Sequence, residues 1–232
     1  MAIPAIVFLQ KDLGTLLIML MIIGTLLLLS PILKIEKLKY GGLLALVLLA
    51  AASIYTDAQG SIINDARKSR FSSWLDPCGQ YETGGYQVCN SYIAINDGGL
   101  TGLGIGKSKQ KYSYIPEPHT DSAFAIIAEE YGVIGCTFIF LGYVLIIWRI
   151  LIISSKASTI RGRYMSLGIA TYVFAHILIN MGGLFGLIPL TGVPLPFFSY
   201  GGSFAISLLA AFAIVQRVNI ETKNQKIKIK SN

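Results

Sequence analysis

The chain has 232 residues, of which 53% are hydrophobic and only 13% charged, where a soluble domain carries about a quarter charged residues. The apolar residues come in long blocks rather than at amphipathic spacing, which excludes an ordinary soluble core. The formal net charge of +7 is spread over the segments between those blocks, so it does not describe a nucleic-acid surface.

Crossing a hydrocarbon core takes roughly 20 predominantly apolar residues. Five blocks approach that length and predict spans at about 13–33, 40–56, 122–148, 164–188 and 196–216. The expected fold is an all-α polytopic membrane protein, a single membrane domain over residues 1–232. One large extracytoplasmic loop is expected at 57–121 and a cytoplasmic tail at 217–232. Orientation follows from Lys and Arg, because short basic loops mark the cytoplasmic side. Lys34, Lys37 and Lys39 follow the first span; Arg149, Lys156, Arg161 and Arg163 follow the third. Arg217, Lys223, Lys226, Lys228 and Lys230 follow the fifth. Alternating spans place all three groups inside and the N-terminus outside. Residues 1–12 lack the basic n-region and small-residue cleavage site of a signal peptide. An odd number of spans starting outside is the pattern expected of a chain lacking upstream helices.

The loop at 57–121 is dense in Gly, Tyr, Asn and Ser, and function concentrates in such loops. Cys78 and Cys89 both fall in it, in a compartment that can keep a disulfide; the alternative is two unpaired thiols. Cys136 falls inside a span and reads as a packing residue. The run Gly98-Gly99-Leu100-Thr101-Gly102-Leu103-Gly104-Ile105-Gly106-Lys107-Ser108 has the look of a phosphate-binding loop. It places Thr101 where that motif requires Gly, so the pattern fails. Its backbone could still expose N–H groups to an anion. Lys107, Lys109 and Lys111, on one face if extended, could meet a pyrophosphate or simply sit near anionic lipid headgroups.

Pro116 and Pro118 keep the approach to the next span extended. Asp121 then stands at the head of a helix beginning near Ser122. It is either a helix-terminal residue interacting with the dipole or, flanked by Glu117 and His119, a carboxylate positioned to accept a proton. Glu129 and Glu130 lie about 12 Å deeper at helical rise. Carboxylates at that depth are either functional or paired with Lys or polar backbone of neighbouring elements.

Several stretches together resemble the shape, elongation, division and sporulation family, represented by FtsW, RodA and SpoVE. They are Asp12-Leu13-Gly14-Thr15; Asp76-Pro77; Gly85-Tyr86-Gln87; Asn90-Ser91; the Gly-rich run ending Gln110-Lys111; and Tyr114 through Asp121. After these come Ile127 through Gly132, Asn180-Met181-Gly182, and Gly186 through Ser203. The wording from Gly106 to Lys111 is closer to the FtsW and SpoVE branches.

The resemblance implies a ten-helix membrane glycosyltransferase, of which this sequence matches the last five helices. Such an enzyme polymerises lipid II at the outer face of the plasma membrane beside a class B penicillin-binding transpeptidase of the division or elongation machinery. Asp121 matches the family's catalytic loop aspartate. Glu117, His119, Lys107 and Lys111 are then substrate-binding candidates, as are Ser199 and Gly201 in a re-entrant turn at 189–202. No tightly bound cofactor is implied; a divalent cation, Mg or Mn, could accompany the pyrophosphate, with Asp121 as its one candidate ligand. Ser122 stands where the family usually has Phe, and His176 where it usually has Gln. Rival readings are a lipid II flippase or lipid-binding transporter, and an inactive truncated scaffold fragment.

Overall fold

The computed structural model describes residues 4, 7, 12–31, 41–42, 74–79, 85–113 and 120–231. These are helical or irregular throughout, with no strand among the described residues. The helices are α1 (Leu13–Leu29), α2 (Tyr86–Gly98), the single turn α3 (Gln110–Ser113), α4 (Ala123–Lys156), α5 (Ile160–Leu184) and α6 (Gly202–Ser231). Three of them, α4, α5 and α6, are long and apolar enough to cross a membrane. α5 is the central helix and packs against α4, α1 and α6. α4 turns Phe138, Leu141, Leu145 and Trp148 outward, a surface suited to lipid tails rather than water.

The helix ends depart from the expected spans for local reasons. α1 stops at Leu29, short of residue 33, because Ser30 is extended ahead of Pro31 and a residue before proline disfavours the α region. Its 17 residues reach only about 25 Å at helical rise. The second expected span lies outside the described residues except for 41–42. α4 runs on past residue 148 to Lys156. α5 starts before residue 164 because Thr159 caps it, its hydroxyl accepting from Gly162 N–H, and ends near Gly186, which takes a left-handed φ of 73°. α6 starts later than residue 196 because Pro194, Pro196 and Phe197, with φ 70°, break the approach. It then continues as helix through what the sequence suggested was a tail.

The described residues between the second and third expected spans include a helix that their composition did not suggest. α2 occupies its middle, with Cys89, Asn90, Ser91 and Ala94 buried, and packs chiefly against α4. Cys78 and Cys89 form a disulfide. Trp74 Nε1–H donates to Gly186 O at 2.8 Å, and the Tyr92 hydroxyl abuts the same Gly186. Burial pushes the Tyr92 phenol above its ordinary value.

α4 is interrupted at Gly132, whose φ of 65° and ψ of −170° belong to a region essentially restricted to glycine. In an unbroken helix Val133 and Ile134 N–H would bond the carbonyls of Glu129 and Glu130. Here the glycine-rich run enters the gap. Val133 N–H donates to Gly99 O at 3.0 Å and Ile134 N–H to Leu100 O at 3.2 Å; Leu103 N–H donates to Glu129 O at 2.9 Å and Gly104 N–H to Glu130 O at 3.0 Å. The backbones approach so closely that a β-carbon on Gly98, Gly102 or Gly132 would collide with main-chain atoms of the opposite segment. Gly132→Ala therefore combines a disallowed φ with a steric clash, and a loss of about 3 kcal/mol or more is expected. Thermal unfolding of the detergent-solubilised chain measures it; a melting temperature within a degree of wild type would contradict this account.

Candidate catalytic site

Asp121 lies half-buried immediately before α4, where three separate segments meet. The residue at the N-cap position is Ser122, which makes no side-chain cap bond, so Asp121 does not cap the helix. Its carboxylate instead faces α2 and its own neighbour. Oδ1 accepts from Thr120 Oγ1–H at 2.9 Å and from Gln87 Nε2–H at 3.4 Å, while Gln87 Nε2 also donates to Ser122 Oγ at 3.0 Å.

The backbone around Asp121 is held by polar side chains from the spans. Asn180 Nδ2 donates to Asp121 O and to Val193 O, both at 2.8 Å. This joins the head of α4 to the irregular segment 185–201. Ser199 Oγ donates to Thr120 O and accepts from Leu195 N–H. Tyr143 donates to Pro196 O. His176 Nδ1 lies 3.1 Å from Pro194 O, with the imidazole between the rings of Tyr172 and Phe204. A carbonyl only accepts, so His176 Nδ1 carries the proton. The segment breaks helical bonding between two helices apolar enough to span a membrane, and its backbone groups need partners from protein or water; these donors supply some of them.

Two cavities are lined by residues near Asp121 rather than by Asp121 itself. One, of about 660 Å³, is lined by Asp12, Thr15, His176, Thr191, Gly192 and Ser203 among others. A β-carbon added to Gly192 would stand 3.8 Å from Asp121 Oδ2. The other, of about 620 Å³, is lined by Lys111, Ala123, Ile126, Glu130, Ser199 and Tyr200 among others. Asp12, at the mouth of the first, caps α1 by accepting from Thr15 N–H and its hydroxyl.

The remaining candidates divide. Lys111 sits on the second cavity, 3.8 Å from Glu130. It belongs to the turn α3, so the lysines do not form the extended one-face row considered from sequence. Lys107 and Lys109 are exposed. Within the glycine-rich run the N–H groups of Gly99, Gly102, Leu103, Gly104 and Lys107 donate to protein carbonyls and are not open to an anion. Ser199 is bound internally through its hydroxyl, and Gly201 lies beside it with its carbonyl accepting from Ala205 N–H. Glu117 and His119 lie outside the described residues. Glu129 is wholly buried and accepts from Ser108 Oγ–H and Lys109 N–H. Both intramembrane acids are thus tied to the loop above them.

The family model described as "Cell cycle protein", for FtsW, RodA and SpoVE, matches residues 1–224. The chain belongs to this family. It is 42% identical over 185 residues to the probable peptidoglycan glycosyltransferase FtsW of Bacillus subtilis, covering 79% of this chain and 45% of that protein. Identity to the stage V sporulation protein E of the same organism is 41%, over 65% of this chain and 40% of that protein. For the peptidoglycan glycosyltransferase MrdB of Escherichia coli K12 the figures are 38%, 70% and 44%. The chain thus spans about half the length of the curated relatives it matches. Its fold resembles a chain solved in work described as "Structural coordination of polymerization and crosslinking by a peptidoglycan synthase complex", with a TM-score of 0.70, 24% identity and coverage of 95% of this chain and 59% of that one. A second likeness, at TM-score 0.57 and 22% identity, is to a variant of the rod shape determining protein RodA of Thermus thermophilus, covering 95% and 57%. Membership and the apolar helices make this family member a multi-pass membrane protein.

Sequence reasoning named Asp121 but gave no role to Gln87 or Asn180, although both lie in the matched stretches. Their partners are 34 and 59 residues away, and only a fold brings them together. Among the described residues no three of His, Cys, Asp and Glu gather as a metal cage. Removing Asn180 leaves two carbonyls unpaired, so Asn180→Ala is expected to cost about 2–3 kcal/mol, measured as a fall in melting temperature; an unchanged value would mean those carbonyls are satisfied otherwise.

Proposed function

We propose that this chain takes part in polymerising lipid II into peptidoglycan glycan strands, with Asp121 as the proton acceptor. The 4-hydroxyl of the acceptor sugar gives its proton to Asp121. Its oxygen bonds to the anomeric carbon of the lipid-linked donor, the bond from that carbon to the pyrophosphate oxygen breaks, and undecaprenyl pyrophosphate leaves with the electron pair. The observation that carries this reading is one half-buried carboxylate whose neighbours Gly192 and Ala123 line two cavities, each within the size range of small-molecule sites. A transfer between two bulky substrates calls for such an arrangement.

The rest of the chain supports the same reading in parts. The exposed donors Lys107 and Lys109, with Lys111 on one cavity, are suited to the charge of a departing pyrophosphate. A divalent cation bound with that pyrophosphate would supply further neutralisation, with Asp121 as its single protein ligand among the described residues. The basic ends of α4, α5 and α6 lie together at the end opposite Asp121, where Ser158 N–H donates to Thr222 Oγ1. This supports a cytoplasmic C-terminus and an extracytoplasmic Asp121. The likeness to a chain from a peptidoglycan synthase complex supports a class B transpeptidase of the division or elongation machinery as partner. Anionic lipids of the plasma membrane would surround the basic ends.

The deciding experiment reconstitutes the chain with lipid II and its transpeptidase and follows glycan length on gels. Asp121→Asn keeps the size of the side chain and removes the base, so polymerisation should drop by about 10²–10⁴-fold while lipid II binding stays measurable. Polymerisation at the wild-type rate in that variant would rule out the assignment, and lipid II movement without polymer would favour the transporter reading.

A further inference from the structure

A base is useful only if its oxygen is held where the proton arrives. Thr120, the nearest donor to Asp121, is its chain neighbour and moves with it. Gln87 is different. It comes from a separate element, and its amide nitrogen spans Ser122 Oγ at 3.0 Å and Asp121 Oδ1 at 3.4 Å. Nε2 of Gln87 can only donate, so it orients an ionised carboxylate without competing for the proton the carboxylate is to accept. Ser122, wholly buried, gives the amide its shorter bond.

Gln87 sits in the first turn of α2, and that turn has no side-chain cap: Gly85 is the N-cap residue and contributes none. Uncapped turns fray. The far end of α2 is fixed by the backbone contact of Gly98 with Ala128. The near end is fixed by Cys89, two positions after Gln87, through its disulfide to Cys78. Cys78 belongs to a short segment anchored on α5's end by the Trp74 bond to Gly186 O. A continuous path therefore runs from the end of α5, through Trp74 and the disulfide, to Gln87 and the carboxylate. Cys78 is exposed, so the bridge is open to reductant.

We propose that Gln87 is a positioning residue for Asp121, and that the Cys78–Cys89 bridge, by pinning the uncapped turn that carries Gln87, makes this positioning depend on the oxidised disulfide. The proposal rests on the reading of Asp121 as proton acceptor. The amide acts through the carboxylate and touches no substrate in this account.

The test uses the full chain in lipid nanodiscs with lipid II. Gln87→Glu preserves size but replaces the donor by an acceptor, and Gln87→Ala removes the contact. Both should lower kcat by about 100-fold, with KM changed by no more than about twofold. Pretreatment with dithiothreitol, or the Cys78→Ser/Cys89→Ser pair, should lower the wild-type kcat by about tenfold yet add nothing to Gln87→Ala, because both act on one interaction. Wild-type kcat in Gln87→Glu overturns the positioning role; a further loss on reducing Gln87→Ala overturns the link to the bridge. A second measurement needs no turnover: labelling of Asp121 by a water-soluble carbodiimide, read by mass spectrometry, should be severalfold faster in Gln87→Ala and in reduced wild type. Equal labelling rates overturn the proposal even if Asp121→Asn abolishes polymerisation. Polymerisation that survives Asp121→Asn removes the base reading, while the labelling still decides whether Gln87 holds the carboxylate.

Discussion

The arrangement of this protein depends on an interruption in its longest helix. Hydrocarbon supplies no hydrogen bonds, so a helix broken near the membrane must find partners for its displaced N–H and C=O groups within the protein. At Gly132 those partners come from the glycine-rich run, which exchanges four backbone bonds with residues 129–134. The rest follows from that exchange. α2 ends at Gly98 directly beneath the junction, so its axis is set against the head of α4 and its first turn arrives at Asp121. The same contact carries Ser108 and Lys109 to Glu129 and Lys111 to Glu130. Glu129, a carboxylate costly at that depth, is thereby hydrogen-bonded by the loop, whereas Glu130 has the Lys111 ammonium at 3.8 Å and no hydrogen bond to its Oε1 among the described residues.

A second irregular segment, 185–201, closes the other side of the site by a different means. There three carbonyls are met by side chains projecting from the spans, Asn180, Tyr143 and His176, while Ser199 of the segment itself donates to Thr120 O. This accounts for polar residues within otherwise apolar helices without assigning them chemistry.

The long apolar blocks were legible because hydrophobicity over 20 residues is a strong signal. Helix ends were less so, since they are set by single residues such as Pro31, Gly186 and Phe197. α2 was hidden in a segment rich in Gly, Asn and Tyr, where packing on α4 and the tie through Cys89 outweigh weak local preference. Physics alone left Asp121 divided between a helix-terminal role and a base; its side chain makes no cap bond and turns toward Gln87, and its place beside the N-cap of α4 is compatible with both. The glycines at 98, 102 and 132 were visible as residues, but their purpose was not. Each matters through the backbone it lets approach, a relation between positions some 30 apart in the chain that no local pattern encodes.

The exchange at Gly132 uses main-chain atoms alone, and that shapes how this region can vary. Leu100 and Ile105 are largely exposed, so many side chains would serve there. The loop accepts at residues 99 and 100 and donates at 103 and 104, so inserting or deleting one residue between the two pairs would put one pair out of register with α4. Length, more than identity, is what this loop must keep: it should accumulate point changes at its exposed positions while remaining almost closed to insertions and deletions.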